Sequence, residues 1–168
     1  MAASSLDVVA SHPDLPLRSF EAGTVLLDEG PATGRIYVLA TGEIEIAKGD
    51  VSVARVIEPG SIFGEISALL DVGHSATVRA ATEVTAYEIK DAARFLDTSP
   101  DLMRSVAQLL ARRLIDATTY LSDLKHQYAD REDHFGMVDQ ILEALVHQQD
   151  VQEVQVAAVV TGSGDSRL

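Results

Sequence analysis

Cysteine is absent from the 168 residues. That excludes a disulfide frame, a thiolate nucleophile and a metal site built on cysteines. Long apolar runs are also missing, which predicts no transmembrane helix. The opening MAASSLDVVASHPDLP has neither a basic lead nor an apolar stretch of signal-peptide length. Together these absences predict a cytoplasmic protein. Positive charge is scarce, with 13 Lys and Arg against 26 Asp and Glu and a net charge of −13. Such a chain repels phosphate backbones, so nucleic-acid binding is not expected. The densest basic cluster, Arg104, Arg112 and Arg113, has no interleaved aromatics and reads as a solvated helix face.

Catalytic constellations are missing as well. His12, His126, His134 and His147 form no H-x-H or H-E-x-x-H pair, so no metal is expected. Ser67 sits in Glu-Ile-Ser-Ala-Leu, without the glycines of a nucleophile elbow. No paired carboxylates or Ser-His-Asp set can be argued, and the chain does not read as an enzyme.

What is present is a globular composition, 46% apolar, at the length of one domain with an appendage. Residues 17–90 read as short strands: VLLDEG, RIYVLA, EIEIAK, VSVARVIEPG, ATVRA and TAYEIK. Glycines 23, 30, 34, 42, 49 and 60 punctuate them. In EIEIA, Ile44 and Ile46 fall on one face and Glu43 and Glu45 on the other. Evenly spaced strands with glycine turns predict a sandwich or jelly-roll barrel. One short helix interrupts them at Gly64–Leu70, and its first N–H groups lack intrahelical partners, which makes an anion site by default.

After residue 90 the period changes. Residues 91–96 read as a brief helix. Ser99-Pro100-Asp101 then opens a long one, with a capping serine, proline at the first position and aspartate in the first turn. Ala107, Leu110, Leu114, Ala117, Leu121, Leu124 and Tyr128 keep 3-4 spacing, an a/d seam of about three heptads. Two uses fit it: a homodimer through residues 102–128, and packing on the chain's own barrel. Beyond a charged break, Phe135, Val138, Ile141, Leu142, Leu145 and Val146 mark an amphipathic helix that could serve a protein partner. TGSGDSRL reads as a frayed tail. The organisation expected is a lead over 1–16, a barrel plus long helix over 17–128, and a helical extension with tail over 129–168. The fold class is mainly β with flanking α: a jelly-roll β-barrel (a double-stranded β-helix), a long dimerisation helix and a short helical C-terminal extension.

These stretches resemble the cyclic-nucleotide-binding domain, the barrel-plus-helix module of the catabolite activator protein and of kinase regulatory subunits. The similarity covers roughly Leu17 to Tyr128. It rests on FEAGTVL at residues 20–26, on Glu29-Gly30, on IYVL at residues 36–39 with Gly42, on PGSIFGE at residues 59–65, on SATVRA at residues 75–80 and on ARRL at residues 111–114. The resemblance implies a ligand, cyclic AMP or cyclic GMP, and no metal. It implies that Glu65 accepts from the ribose hydroxyl. It places N–H groups of Gly64, Glu65 and Ile66 at the cyclic phosphate, with Ser75 and Ala76 as further phosphate donors. It places Thr118 and Thr119 at the base; ordinary exposed helix positions are the other reading of these threonines.

One position departs from the family. Aligned through Ser75-Ala76, His74 holds the slot of the phosphate-binding arginine, and Gly73 stands where the family often has proline. Arginine is always charged and can fork onto two oxygens. Neutral histidine offers one donor. A hydrogen bond to a charged group contributes roughly 1.5–3 kcal/mol, so its loss weakens binding by about tenfold to somewhat over a hundredfold. His74 reads either as a pH-weighted phosphate contact or as a loop histidine without a ligand. Arg79 and Arg55 are the other candidate cations. The expectation is therefore a weak-binding cyclic-nucleotide sensor, with a ligand-free dimeric interaction module as the alternative. The forty or so residues after Tyr128 hold Arg131 and Arg167 against eight acidic residues, which does not make a DNA-recognition helix.

Overall fold

The computed structural model describes residues 4–127 and four further helical residues, Gln140, Ile141, Glu143 and Ala144. The rest of the helix expected from Phe135 to Val146, and the tail, lie outside the described residues. The chain divides into two compact units, Met1–Arg112 and Arg113–Leu168.

The expected strands form, with two more that complete the sheets. In order they are β1 (Leu17–Phe20), β2 (Val25–Leu27), β3 (Ile36–Thr41), β4 (Ile44–Lys48), β5 (Val51–Val56), β6 (Ile62–Phe63), β7 (Thr77–Ala80) and β8 (Val84–Ile89). They make two four-stranded sheets, ordered β1-β8-β3-β6 and β2-β7-β4-β5. Every pairing is antiparallel. This is the jelly-roll arrangement that the glycine-punctuated strands predict. Four helices flank it: α1 (Ser5–Ala10), α2 (Glu65–Leu70), α3 (Ala92–Thr98) and α4 (Pro100–Gln127).

The period of two explains why β3 is buried on both faces. Tyr37 and Leu39 point into the sandwich, with Leu26, Leu27, Ile44, Phe63, Val78 and Val84. Ile36 and Val38 point the other way, into a second core built with the helices. That second core takes Val8 and Val9 from α1, Ala92 and Leu96 from α3, and Leu102 and Val106 from α4. In β4 the Ile44/Ile46 alternation survives until a register shift between Ile46 and Ala47, which lets Ala47 turn inward beside Ile44.

Helix α1 lies within the stretch expected as a lead. Ser4 caps it in a reciprocal box: its hydroxyl accepts from the Asp7 N–H, and the Asp7 carboxylate accepts from the Ser4 N–H at 3.1 Å. These bonds hold the Asp7 carboxyl below its ordinary pKa. The Ser5 hydroxyl donates to the Gly60 carbonyl, tying α1 to the turn that leads into β6.

Helix α4 starts where the Ser-Pro-Asp signal places it, and the Met103 N–H reaches back to the Ser99 carbonyl at 3.0 Å. Leu102 and Val106 are fully buried. So the early part of the apolar stripe packs on its own core. Further along α4, Leu114 and Ile115 are exposed, the latter by 63%.

Candidate functional site

The segment from β6 to β7 is built from a turn, a short helix and a returning strand. Gly64 precedes α2 in the left-handed region, at φ +93°. A Cβ there would lie 2.4 Å from the Arg35 carbonyl oxygen, so both the turn and the space demand glycine. The chain then enters α2 with Glu65 at its head. Glu65 is 2% exposed. A carboxylate is buried at acceptable free energy only when hydrogen-bonded, so its place at the helix start, beside N–H groups without intrahelical partners, is physically coherent. Ser67 is also buried, and its hydroxyl donates to the Val72 carbonyl at 2.6 Å, closing the far end of α2. This is a structural duty, in keeping with the missing nucleophile elbow.

The returning strand is held by the β2–β3 loop. The Gly30 N–H donates to the His74 carbonyl at 2.9 Å. A Cβ on Gly73 would stand 1.9 Å from the Gly30 carbonyl oxygen, so the two backbones meet where no side chain fits. The Glu29 N–H donates to Thr77 Oγ1 at 3.1 Å. The same loop touches both halves of the β6–β7 segment, through Arg35 at Gly64 and through Gly30 at Gly73 and His74. Ser75 is exposed and Ala76 half-buried.

His74 is not an open loop side chain. It is 5% exposed, and its Nε2 lies 2.8 Å from Thr33 Oγ1. Burial lowers its pKa below the ordinary 6.5, so the ring is neutral at pH 7. Thr33 carries no signal in the sequence. It sits in the β2–β3 loop, in Pro31-Ala32-Thr33-Gly34, forty-one positions from its partner, and only the closed sandwich brings the two together.

The substitute cations are engaged elsewhere. Arg79 Nε and Nη2 donate to Glu45 Oε2 at 3.1 and 2.6 Å. Arg55 Nη1 donates to Glu43 at 2.8 Å. Arg18 and Arg35 both pair with the buried Glu88, at 2.6 and 3.2 Å. Thus all four arginines between residues 17 and 90 are ion-paired within the sandwich. Glu45 is held below its ordinary pKa, first by its hydrogen bond from Arg79. Glu88 also receives the Tyr37 hydroxyl at 3.3 Å, and burial raises the Tyr37 pKa. Thr118 and Thr119 belong to the second unit, on α4. Thr118 is half-buried, and its hydroxyl donates back to the Leu114 and Ile115 carbonyls at 2.9 Å. Thr119 is exposed.

The family model for the cyclic nucleotide-binding domain matches residues 17–97. Residues 17–97 are a cyclic nucleotide-binding domain. Among curated relatives, an uncharacterized ABC transporter ATP-binding protein of Mycobacterium tuberculosis is 41% identical over 70 residues, 39% of this chain and 21% of that protein. A cAMP-dependent protein kinase regulatory subunit of Yarrowia lipolytica is 37% identical over 65 residues, 38% of this chain and 17% of that protein. The matched segment thus spans about a fifth of the length of these curated relatives. Among solved structures, the Thermus thermophilus catabolite activator protein aligns with a TM-score of 0.57 and 25% identity, over 72% of this chain and 59% of that one. Within the domain, the cassette is the segment from Gly64 to Ala80. Among the described residues, no group of three or more His, Cys, Asp or Glu side chains could hold a metal ion. No described helix is long and apolar enough to cross a membrane.

Proposed function

We propose that the domain is a weak-binding cyclic-nucleotide sensor, a regulatory module and not an enzyme. The observation that carries this reading is Glu65, buried at the head of α2 inside a cassette whose backbone is fixed at both ends. Glu65 accepts from the ribose hydroxyl. The N–H groups of Gly64, Glu65 and Ile66 face the cyclic phosphate, with Ser75 and Ala76 adding donors. His74 gives the phosphate one neutral donor where an arginine would fork. Thr118 and Thr119 meet the base. Ligand binding biases α3 and α4 between two packings, and the apolar positions within residues 102–128 that the core leaves exposed, Leu114 and Ile115 among them, pair two chains into a homodimer. The amphipathic pattern of Phe135, Val138, Ile141, Leu142, Leu145 and Val146 serves a protein partner.

A second reading has its own support. With its four arginines ion-paired, the sandwich brings no uncommitted guanidinium to an anion, which favours a ligand-free domain that keeps only the fold and the dimer helix. Calorimetric titration with cyclic AMP and cyclic GMP at pH 6.5 separates the two. The sensor reading expects saturable binding that Glu65→Ala weakens about tenfold or more, with the thermal midpoint still that of a folded barrel. Absence of binding to the wild type at millimolar ligand would establish the ligand-free module instead.

A further inference from the structure

Thr33 and His74 make a two-residue unit whose geometry limits where its protons sit. Thr33 Oγ1 already accepts from the Arg35 N–H at 3.3 Å. A hydroxyl has one hydrogen to give, and Nε2 of His74 at 2.8 Å is the acceptor the fold sets before it. If Nε2 carried the ring hydrogen, the Thr33 oxygen would accept it beside the Arg35 N–H, and the hydroxyl hydrogen would have to turn to another acceptor. With the Thr33 hydroxyl donating to Nε2, the neutral ring keeps its hydrogen on Nδ1. Nδ1 has no hydrogen bond to a described residue. With the hydrogen there, Nδ1–H is the ring's one donor.

We propose that Thr33 is the positioning residue of this site: its hydroxyl fixes His74 as the Nδ1–H tautomer, so that an uncharged ring donates one hydrogen bond to an oxyanion of the ligand. The proposal rests on the sensor reading and specifies the ligand's chemistry, a singly charged phosphodiester oxygen. A neutral donor gains less from a second negative charge than arginine would. The pair therefore suits a cyclic phosphodiester better than a dianionic phosphate. The backbone supports the arrangement, because the Gly30 N–H to His74 carbonyl bond and the Gly73–Gly30 contact lock the ring's own segment to Thr33's loop. Such second-partner fixing of an imidazole tautomer is a general device.

The test is long-range proton–nitrogen correlation on the His74 ring of the full chain, for wild type, Thr33→Val and Thr33→Ser, with and without cyclic AMP. The expected free wild type shows Nδ1 protonated and Nε2 bare, unchanged in Thr33→Ser. Thr33→Val is expected to lose the single tautomer and to bind cyclic AMP about three- to tenfold more weakly, with Thr33→Ser within about twofold of wild type. Thermal midpoints accompany each variant, and Thr33→Ala replaces Thr33→Val if that chain misfolds. An Nε2–H ring in the free wild type overturns the proposal whatever the ligand does. So does a Thr33→Val chain that keeps the wild-type tautomer and affinity. A wild type with the Nδ1–H tautomer set by Thr33 but no cyclic AMP binding would establish the hold on the ring and overturn the sensor reading alone.

Discussion

His74 stands at a slot where the sequence states a residue type and the fold supplies the environment. That His74 stands in the place of an arginine is what the resemblance implies through the flanking Ser75-Ala76. Its burial and its bond to Thr33 were not legible, since both depend on a loop forty-one positions away. The same holds for Arg55 and Arg79, which the sequence leaves as candidate cations and the sheet commits to Glu43 and Glu45. Burial has a measurable consequence at His74. Its folded pKa lies below the unfolded 6.5, so the unfolded chain binds more protons at acid pH. The stabilisation is complete above about pH 6.5 and declines as pH falls below it. Urea midpoints measured from pH 7.5 to 5 are expected to fall across that window, and His74→Gln is expected to flatten that part of the curve. A wild-type curve equal to that of the variant would place the imidazole in water.

At the scale of elements, strands were read well and one helix was missed. The strands announce themselves through alternation and glycine turns, and each glycine turn has a physical reason. Gly42, between β3 and β4, adopts φ +96° and a Cβ there would sit 2.3 Å from the Glu83 carbonyl oxygen. Gly42→Ala must move the turn before β8, and a loss of about 1–3 kcal/mol is expected in chemical denaturation. An unchanged midpoint would show that the two turns are not in contact. Helix α1 escaped notice because six residues give little periodicity. Its signal was the Ser4–Asp7 spacing, with aspartate in place of the glutamate or glutamine that usually completes such a box. The bulge after Ile46 was equally silent, because a strand's own sequence does not say which partner residue it skips. Helix α4 was legible at its start because Pro100 suits the first helical position and Asp101 the positive end of the helix, and the first turn closes where the Met103 N–H reaches the Ser99 carbonyl.

The whole molecule carries two further expectations. An apolar stripe runs along α4, and beyond Arg112 it keeps Leu114 and Ile115 exposed. If two chains pair through it, Ile115→Asp should convert a dimer to a monomer in sedimentation equilibrium, leaving the thermal unfolding of the barrel nearly unchanged. A wild type that sediments as a monomer at all concentrations would remove the dimer from the proposal. The second expectation follows from the four ion-paired arginines and concerns time. A net charge of −13 surrounds a cassette with no uncommitted guanidinium to draw an anion in. An approaching phosphodiester therefore climbs a repulsive field, and the encounter step is slowed. Dissolved salt screens that field over about 10 Å at 0.1 M. Stopped-flow association with a fluorescent cyclic nucleotide should accelerate as salt is added. A rate that falls with salt would reveal a local positive patch at the entrance. The response to ligand would then be gated by the ionic strength around the protein as well as by the ligand's concentration.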